Sequence, residues 1–99
     1  MGLKGEDRGM LEKIIDQQVS SIGKHVKIWR SPEYQKLYQI KDPDDFAYGH
    51  AQGSIITKFE TYYGLVYHNK NPTDDEIDEI AEIILKRSRE IKEAIFKSG

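Results

Sequence analysis

Apolar residues in the last third of the chain recur at spacings of three and four. This spacing places them on one side of an α-helix, and the residues are Ile77, Ile80, Ala81, Ile84, Ile91 and Ile95. The start of the helix is also marked, because Thr73 is followed three residues later by Glu76 in a capping-box pattern. The pattern predicts one helix over residues 74–97, and its apolar stripe requires other helices to cover it.

A second helical stripe runs from Leu11 to Trp29 and predicts a helix over residues 9–29. Gly23 interrupts this stripe, at a cost of about 1 kcal/mol relative to alanine. Residues 1–9 contain three glycines and no apolar pattern. We therefore expect a flexible N-terminal segment over residues 1–9.

Two residue pairs mark further helix starts. Ser31-Pro32 and Asp42-Pro43 each combine a good N-cap residue with a proline suited to the first helical position. They predict a short helix over residues 32–41 and a longer element that begins at residue 44. The apolar side of the short helix carries Tyr34, Leu37 and Tyr38.

The segment over residues 44–68 combines two periodicities. Alternating Thr and Tyr residues between Ile55 and Tyr67 favour a strand. A spacing of three and four favours a helix and connects Ala51, Ile55, Phe59, Tyr62 and Val66. We favour the helix, because a strand over residues 54–67 with no turn signal would be unusually long.

These elements predict an all-α fold, a small antiparallel helical bundle of three long helices plus one short helix. They form a single helical domain over residues 10–97. The alternative is an α+β fold with strands within residues 24–30 and 54–67, packed under the terminal helices.

The composition narrows the classes of protein. The chain has 99 residues, of which 37% are hydrophobic and 32% charged, and it has no cysteine, so disulfides and thiolate metal sites are excluded. It lacks an apolar run of the ~20 residues that cross a membrane and a signal-peptide pattern. We expect a cytoplasmic protein that makes no membrane contact. Isoleucine outnumbers leucine by 13 to 5, with abundant Lys and Glu, which suggests a thermophilic source.

An acidic segment is the best candidate for metal chemistry. It carries Asp74, Asp75, Glu76, Asp78, Glu79 and Glu82. A di-iron bundle also needs Glu-x-x-His pairs on facing helices, and no acid lies three residues before any histidine of the chain. Acids in a first turn are favoured by the helix dipole in any case. The chain also lacks a phosphate loop and a nucleophile motif. We expect no catalytic residue, metal or cofactor, and a metal-dependent enzyme built on this helix is the weakest of three candidate functions.

Three glycines, Gly49, Gly53 and Gly64, are costly inside the predicted helix unless packing requires them. One interpretation is a close approach of a second helix, either in the same chain or at a homodimer seam. The other is a locally irregular helix. We expect a homodimer, with a protein partner as a further possibility.

A basic and aromatic stretch is the best candidate for nucleic-acid binding. It contains Lys24, Lys27, Trp29, Arg30, Tyr34 and Tyr38, and such residues neutralise phosphates and stack on bases. The aromatic residues also have the spacing of core positions, and the pI of about 5.9 is low for a nucleic-acid binder. We therefore favour core aromatics. The leading function is a non-enzymatic interaction module that self-associates, and the alternative is a small nucleic-acid-binding accessory protein.

Overall fold

A computed structural model describes residues 2–97 and shows an all-α fold, as predicted. Its helices are α1 (Gly5–Trp29), α2 (Pro32–Leu37), α3 (Pro43–Val66), α4 (Asp74–Lys86) and α5 (Ser88–Lys97). Residues 2–97 contain no strand, so the α+β alternative is wrong. No helix within this range is long and apolar enough to cross a bilayer.

The core forms between α1, α3 and α5. Every fourth residue of α3 from Ala47 to Tyr63 is buried, and this ridge packs along α1. The two helices run antiparallel, because Trp29 at the end of α1 contacts Phe46 near the start of α3. Tertiary packing of this ridge outweighs the strand propensity of the Thr and Tyr residues in α3. The fully buried core residues of α1, α3 and α5 include Leu11, Ile15, Val26, Ile55, Phe59 and Ile91.

The N-terminal segment differs from the prediction of a flexible stretch over residues 1–9. Helix α1 begins at Gly5, and the Leu3 side chain is buried. The backbone N–H of Leu3 donates to Glu79 Oε1 at 3.2 Å, and Arg8 Nε donates to Glu79 Oε2 at 2.8 Å. Leu3 and Arg8 therefore connect the N-terminal segment to α4, while Met1 lies outside the described residues. Gly23 does not interrupt α1.

The predicted N-caps of α3 and α4 are confirmed. Asp42 Oδ1 accepts the backbone N–H groups of Asp44 and Asp45 at 3.0 and 3.1 Å. Thr73 and Glu76 form both hydrogen bonds of a capping box. Helix α4 therefore begins where the sequence placed it, and α3 begins one residue earlier.

Helix α2 is shorter than the predicted 32–41 element. It ends at Leu37 because Gln39 has a left-handed backbone, with φ of 55°. The Ile40 N–H then donates to the Gln35 carbonyl at 2.9 Å, which is a Schellman termination. Gln39 stands where a glycine would have predicted the end of the helix from the sequence.

The predicted helix over residues 74–97 is interrupted at Arg87, so it forms two helices, α4 and α5. The Arg87 guanidinium donates to Glu12 and Asp16 of α1 and to Glu90 of α5. These three carboxylates raise the pKa of Arg87, with the Glu90 hydrogen bond the largest cause. Hydrogen bonds to α1 and α5 thus fix the Arg87 side chain at the junction of α4 and α5. The spacing of apolar residues along this segment does not reveal the junction.

Candidate interaction surfaces

Gly49 and Gly53 lie on the side of α3 that faces away from its buried ridge, because each residue advances 100° around a helix. Gly64 follows the ridge residue Tyr63 and is half-buried. A Cβ atom at Gly49 or Gly53 would meet no heavy atom within 4 Å outside its own helix, and at Gly64 it would only reach Asn69 Cα at 4.0 Å. No second helix of the described chain therefore crosses α3 at Gly49 or Gly53. Helix α3 is also unbroken through all three glycines, so the irregular-helix interpretation is wrong. We call Gly49, Gly53, Gly64 and the neighbouring Phe46 the glycine face.

Phe46 is the large apolar side chain of the glycine face, and it is 43% exposed. Its inner edge contacts Trp29, with ring centroids 5.3 Å apart. Gly49 and Gly53 are solvent-exposed and lie on the same side of α3, one and two turns further along the helix. The glycine face therefore combines an exposed ring with a stretch of bare backbone.

An apolar groove lies between α3 and α4. Its volume is about 130 Å³, and it is lined by Ile56, Glu60, Pro72, Ile77, Ile80 and Ala81. The α4 side continues into Leu85, so Ile77, Ala81 and Leu85 form an exposed apolar stripe at i, i+4 and i+8. We call the groove together with this stripe the α4 groove.

Acidic residues border the α4 groove. Asp74, Asp78 and Glu82 are exposed and each lies three residues before a member of the apolar stripe, which places it beside that residue on the helix surface. Glu60 lines the α3 side. The groove is therefore apolar in its floor and negative along its edges.

Helix α2 carries its apolar side toward solvent, although the sequence favoured core positions for its tyrosines. It buries no residue, and Leu37 and Tyr38 are 72% and 62% exposed. The rings of Tyr34 and Tyr38 stack, with centroids 5.4 Å apart. The helix is tied to the end of α1 by Gln35 Nε2, which donates to the Arg30 carbonyl at 2.8 Å. We call Tyr34, Leu37 and Tyr38 the α2 patch.

The structure divides the six candidate residues for nucleic-acid binding. Arg30 is committed to the fold, because it pairs with Asp44 at 2.9 Å and donates to the Ile95 carbonyl at 2.9 Å. Trp29 is half-buried and packs against the core, as we favoured. Lys24, Lys27, Tyr34 and Tyr38 are exposed. The core interpretation is therefore wrong for the two tyrosines.

A cluster of His25, Trp29 and His50 was not predicted, because its members come from two helices whose register is not visible in the sequence. The His50 ring lies 4.6 Å from Trp29 and 5.9 Å from His25, between centroids. Burial, then the nearby His25 and Lys58, lower the pKa of His50. Ser54 Oγ lies 3.2 Å from His50 Nε2. Within residues 2–97 no carboxylate orients this pair through a hydrogen bond, as a nucleophilic triad requires.

A buried carboxylate, Asp7, organises a network of tyrosines at the opposite end of α3. Tyr62 Oη donates to Asp7 Oδ1 at 2.7 Å, and Tyr67 Oη donates to Asp7 Oδ2. Tyr63 Oη donates to Glu76 Oε1 at 2.8 Å. These hydrogen bonds raise the pKa of Tyr62 and of Tyr63 to about 12. The phenols are therefore neutral donors at neutral pH, and the network ties α1, α3 and α4 together.

Two glutamates of the acidic segment of α4 make contacts within the fold. Glu76 is used by the capping box and Tyr63. Glu79 is used by Arg8 and Leu3, and the Arg8 hydrogen bond is the largest cause that lowers the pKa of Glu79. Across residues 2–97, no group of three His, Cys, Asp or Glu side chains is placed to hold a metal ion.

The exposed surfaces described above are therefore the features of this chain from which a function can be inferred. Comparison with protein-family models, with curated protein sequences and with solved structures finds no match.

Proposed function

We propose that this chain is a non-enzymatic helical module of the cytoplasm that binds a second copy of itself through the glycine face of α3. The observation that carries the proposal is the pair of open positions at Gly49 and Gly53, next to the exposed ring of Phe46. Glycine inside a helix costs about 1 kcal/mol relative to alanine. Nothing in the described chain uses the space that these two glycines leave, and a second molecule would.

A two-fold axis centred between residues 49 and 50 of α3 makes the face complementary to itself. In an antiparallel crossing with this centre, residue i faces residue 99 − i, so Phe46 of each copy lies over Gly53 of the partner subunit. Two helix axes lie 8–10 Å apart depending on the side chains at the contact, and glycine permits the short end of this range. The Phe46 ring then loses most of its remaining exposure, and apolar burial is the main driving force of association.

The test compares Gly53→Leu with Gly9→Leu. Gly9 is a matched control, because it also lies inside a helix, is exposed, and has no atom near an added Cβ. Each change should stabilise the monomer by up to about 1 kcal/mol through helix propensity. In sedimentation experiments we expect the parent and Gly9→Leu to form the glycine-face dimer, and Gly53→Leu to lose that dimer and to associate more weakly than either.

Two results would contradict the proposal. One is a parent protein that sediments as a monomer at every concentration. The other is a Gly53→Leu variant that dimerises as the parent does. Circular dichroism of each variant establishes that the helical fold is retained.

A second candidate function is single-stranded nucleic-acid binding by α2 and the end of α1. It is favoured by the exposed, stacked rings of Tyr34 and Tyr38 and by the exposed Lys24 and Lys27. Binding of an oligonucleotide should then weaken with salt, with a log–log slope of roughly −0.7 per neutralised phosphate. Replacing both lysines with Gln should reduce that slope, and a parent protein without measurable affinity removes this candidate.

A further inference from the structure

Two exposed apolar surfaces of the molecule have different charged neighbours. The exposed lysines Lys36 and Lys41 lie close to the α2 patch in the sequence, and the α4 groove has acidic edges. We propose that the α2 patch of one copy docks in the α4 groove of a second copy, which gives a head-to-tail contact. This contact uses other surfaces than the glycine face and is independent of the proposed α3 dimer.

The α2 patch combines exposed apolar side chains with nearby charged residues, as helices that bind in grooves do. Its most exposed member, Leu37, is the last residue of α2 and projects from a helix that buries nothing. Lys36 precedes it in α2 and Lys41 follows it by four residues, and both are exposed. The exposed acids nearest in sequence are Glu33 and Asp42, and the Asp42 carboxylate caps α3. An apolar ridge that carries lysines can complement an apolar groove with acidic edges, because charge complementarity fixes partner and register.

The α4 groove has the size for one anchoring side chain. Its volume of about 130 Å³ is close to that of the ~150 Å³ protein cavity that holds a benzene ring. Leu37 or the Tyr38 ring fits this volume. Asp78 and Glu82 lie along the edge of the groove, where they can pair with Lys36 and Lys41 of the docked copy.

The α2 patch cannot reach the α4 groove of its own chain. Helix α2 follows Arg30, which pairs with Asp44 in the first turn of α3. The groove lies at Glu60, sixteen residues further along the same helix, which is about 24 Å at 1.5 Å per residue. Only a second molecule can bring the two surfaces together. Because the surfaces differ, the contact is heterologous and extends into open chains or closes into rings.

The experiment uses the full chain carrying Gly53→Leu, which separates this contact from the glycine-face dimer. Three further changes are made in that background: Leu37→Glu in the α2 patch, Ala81→Lys in the α4 groove, and Leu65→Glu as the control. Leu65 matches Leu37, because it is 81% exposed, lies in the last turn of its own helix and belongs to neither surface.

We expect the background protein and its Leu65→Glu variant to associate in a concentration- and salt-dependent manner. Leu37→Glu and Ala81→Lys should each raise the dissociation constant by at least about tenfold, which corresponds to the loss of one buried leucine-sized contact. The decisive sample is an equal mixture of these two variants. Each supplies the surface that the other lacks, so the mixture should form heterodimers and nothing larger.

A mixture that stays monomeric overturns the proposal, as does association of Leu37→Glu at the affinity of the background protein. Binding of a single-stranded oligonucleotide that Leu37→Glu abolishes, with association unchanged, also overturns it and assigns the α2 patch to nucleic acid. If Gly53→Leu alone leaves sedimentation of the parent unchanged, the glycine-face dimer fails while the mixing result still decides the head-to-tail contact.

Discussion

The Asp7 carboxylate provides a direct test of how the ends of the helices are held together. Asp7 is only 2% exposed and accepts hydrogen bonds from Tyr62 and Tyr67. We compare Asp7→Leu with a triple variant that adds Tyr62→Phe and Tyr67→Phe. The single change leaves two phenols without their acceptor, whereas the triple variant replaces donors and acceptor alike with apolar groups.

The expected loss for Asp7→Leu follows from the two hydrogen bonds. A hydrogen bond to a charged group contributes about 1.5–3 kcal/mol, so two contribute about 3–6 kcal/mol. Both phenols are half-buried and can turn partly to water, which places the loss near the lower end, at about 3 kcal/mol. This is a large share of the ~5–15 kcal/mol that stabilises a domain. The triple variant should recover ~1–2 kcal/mol, because removing both sides of a buried polar contact is often close to neutral.

The assay is urea unfolding followed by circular dichroism. With an m value of ~1–3 kcal/mol/M, Asp7→Leu should lower the midpoint by about 1–3 M. Tyr38→Phe is the control, because the exposed α2 patch should tolerate it within about 0.5 kcal/mol. A triple variant less stable than Asp7→Leu would refute the reasoning, since the three changes would then act as separate losses instead of as one network.

Three further outcomes are expected. Thr73→Ala should lower the free energy of unfolding by about 0.5–2 kcal/mol, and an unchanged urea midpoint would mean that the cap contributes nothing. The pKa values of Tyr62 and Tyr63 are raised to about 12, so the folded state holds these protons more tightly than the unfolded chain. The free energy of unfolding should therefore keep its full value below about pH 10 and fall as the pH rises toward 12. A free energy of unfolding that does not change over this alkaline range would contradict this. Because the pKa of His50 is lowered, the unfolded chain takes up that proton first, and stability should fall as the pH drops below about 6.5. His50→Gln should reduce that loss, as measured by unfolding at stepped pH.

Local chemistry made part of the fold predictable. The caps at Asp42 and Thr73 use atoms within three residues of each other, so the starts of α3 and α4 can be read from short sequence patterns. The helical identity of α3 was also correct. It depended on the spacing of its buried ridge, and the strand-favouring residues on the other faces of α3 did not decide its structure.

Features that depend on distant partners were not predictable from one sequence. The ordered start of α1 is bound to Glu79, more than seventy residues away from Arg8. At the break between α4 and α5, Arg87 is paired with Glu12 and Asp16 of α1. The local sequence predicted a frayed N-terminus and one continuous helix over residues 74–97. The structure differs from both predictions, because hydrogen bonds between distant residues produce no periodic pattern in the sequence.

The candidate surfaces were predictable in part. The pattern placed Tyr34, Leu37 and Tyr38 on one side of a helix. The rings of Tyr34 and Tyr38 do stack, but Tyr38 follows the end of α2, and the pattern could not show that these residues are exposed. The glycines of α3 indicated a close approach, and only the structure shows that no helix of residues 2–97 occupies Gly49 and Gly53. The α4 groove was not predicted, because it exists only once α3 and α4 lie side by side.

The separation of Asp7 from its phenols has a consequence for synthesis of the chain. Tyr67 follows Asp7 by 60 positions, and a ribosome adds about 5–20 residues per second. The carboxylate therefore exists for roughly 3–12 s before its last donor has been made. During most of that time α1 lacks the complete ridge of α3, and the Asp7 carboxylate lacks its phenol donors. Any molecule that bound the nascent helix in that interval would compete with the closure of the bundle.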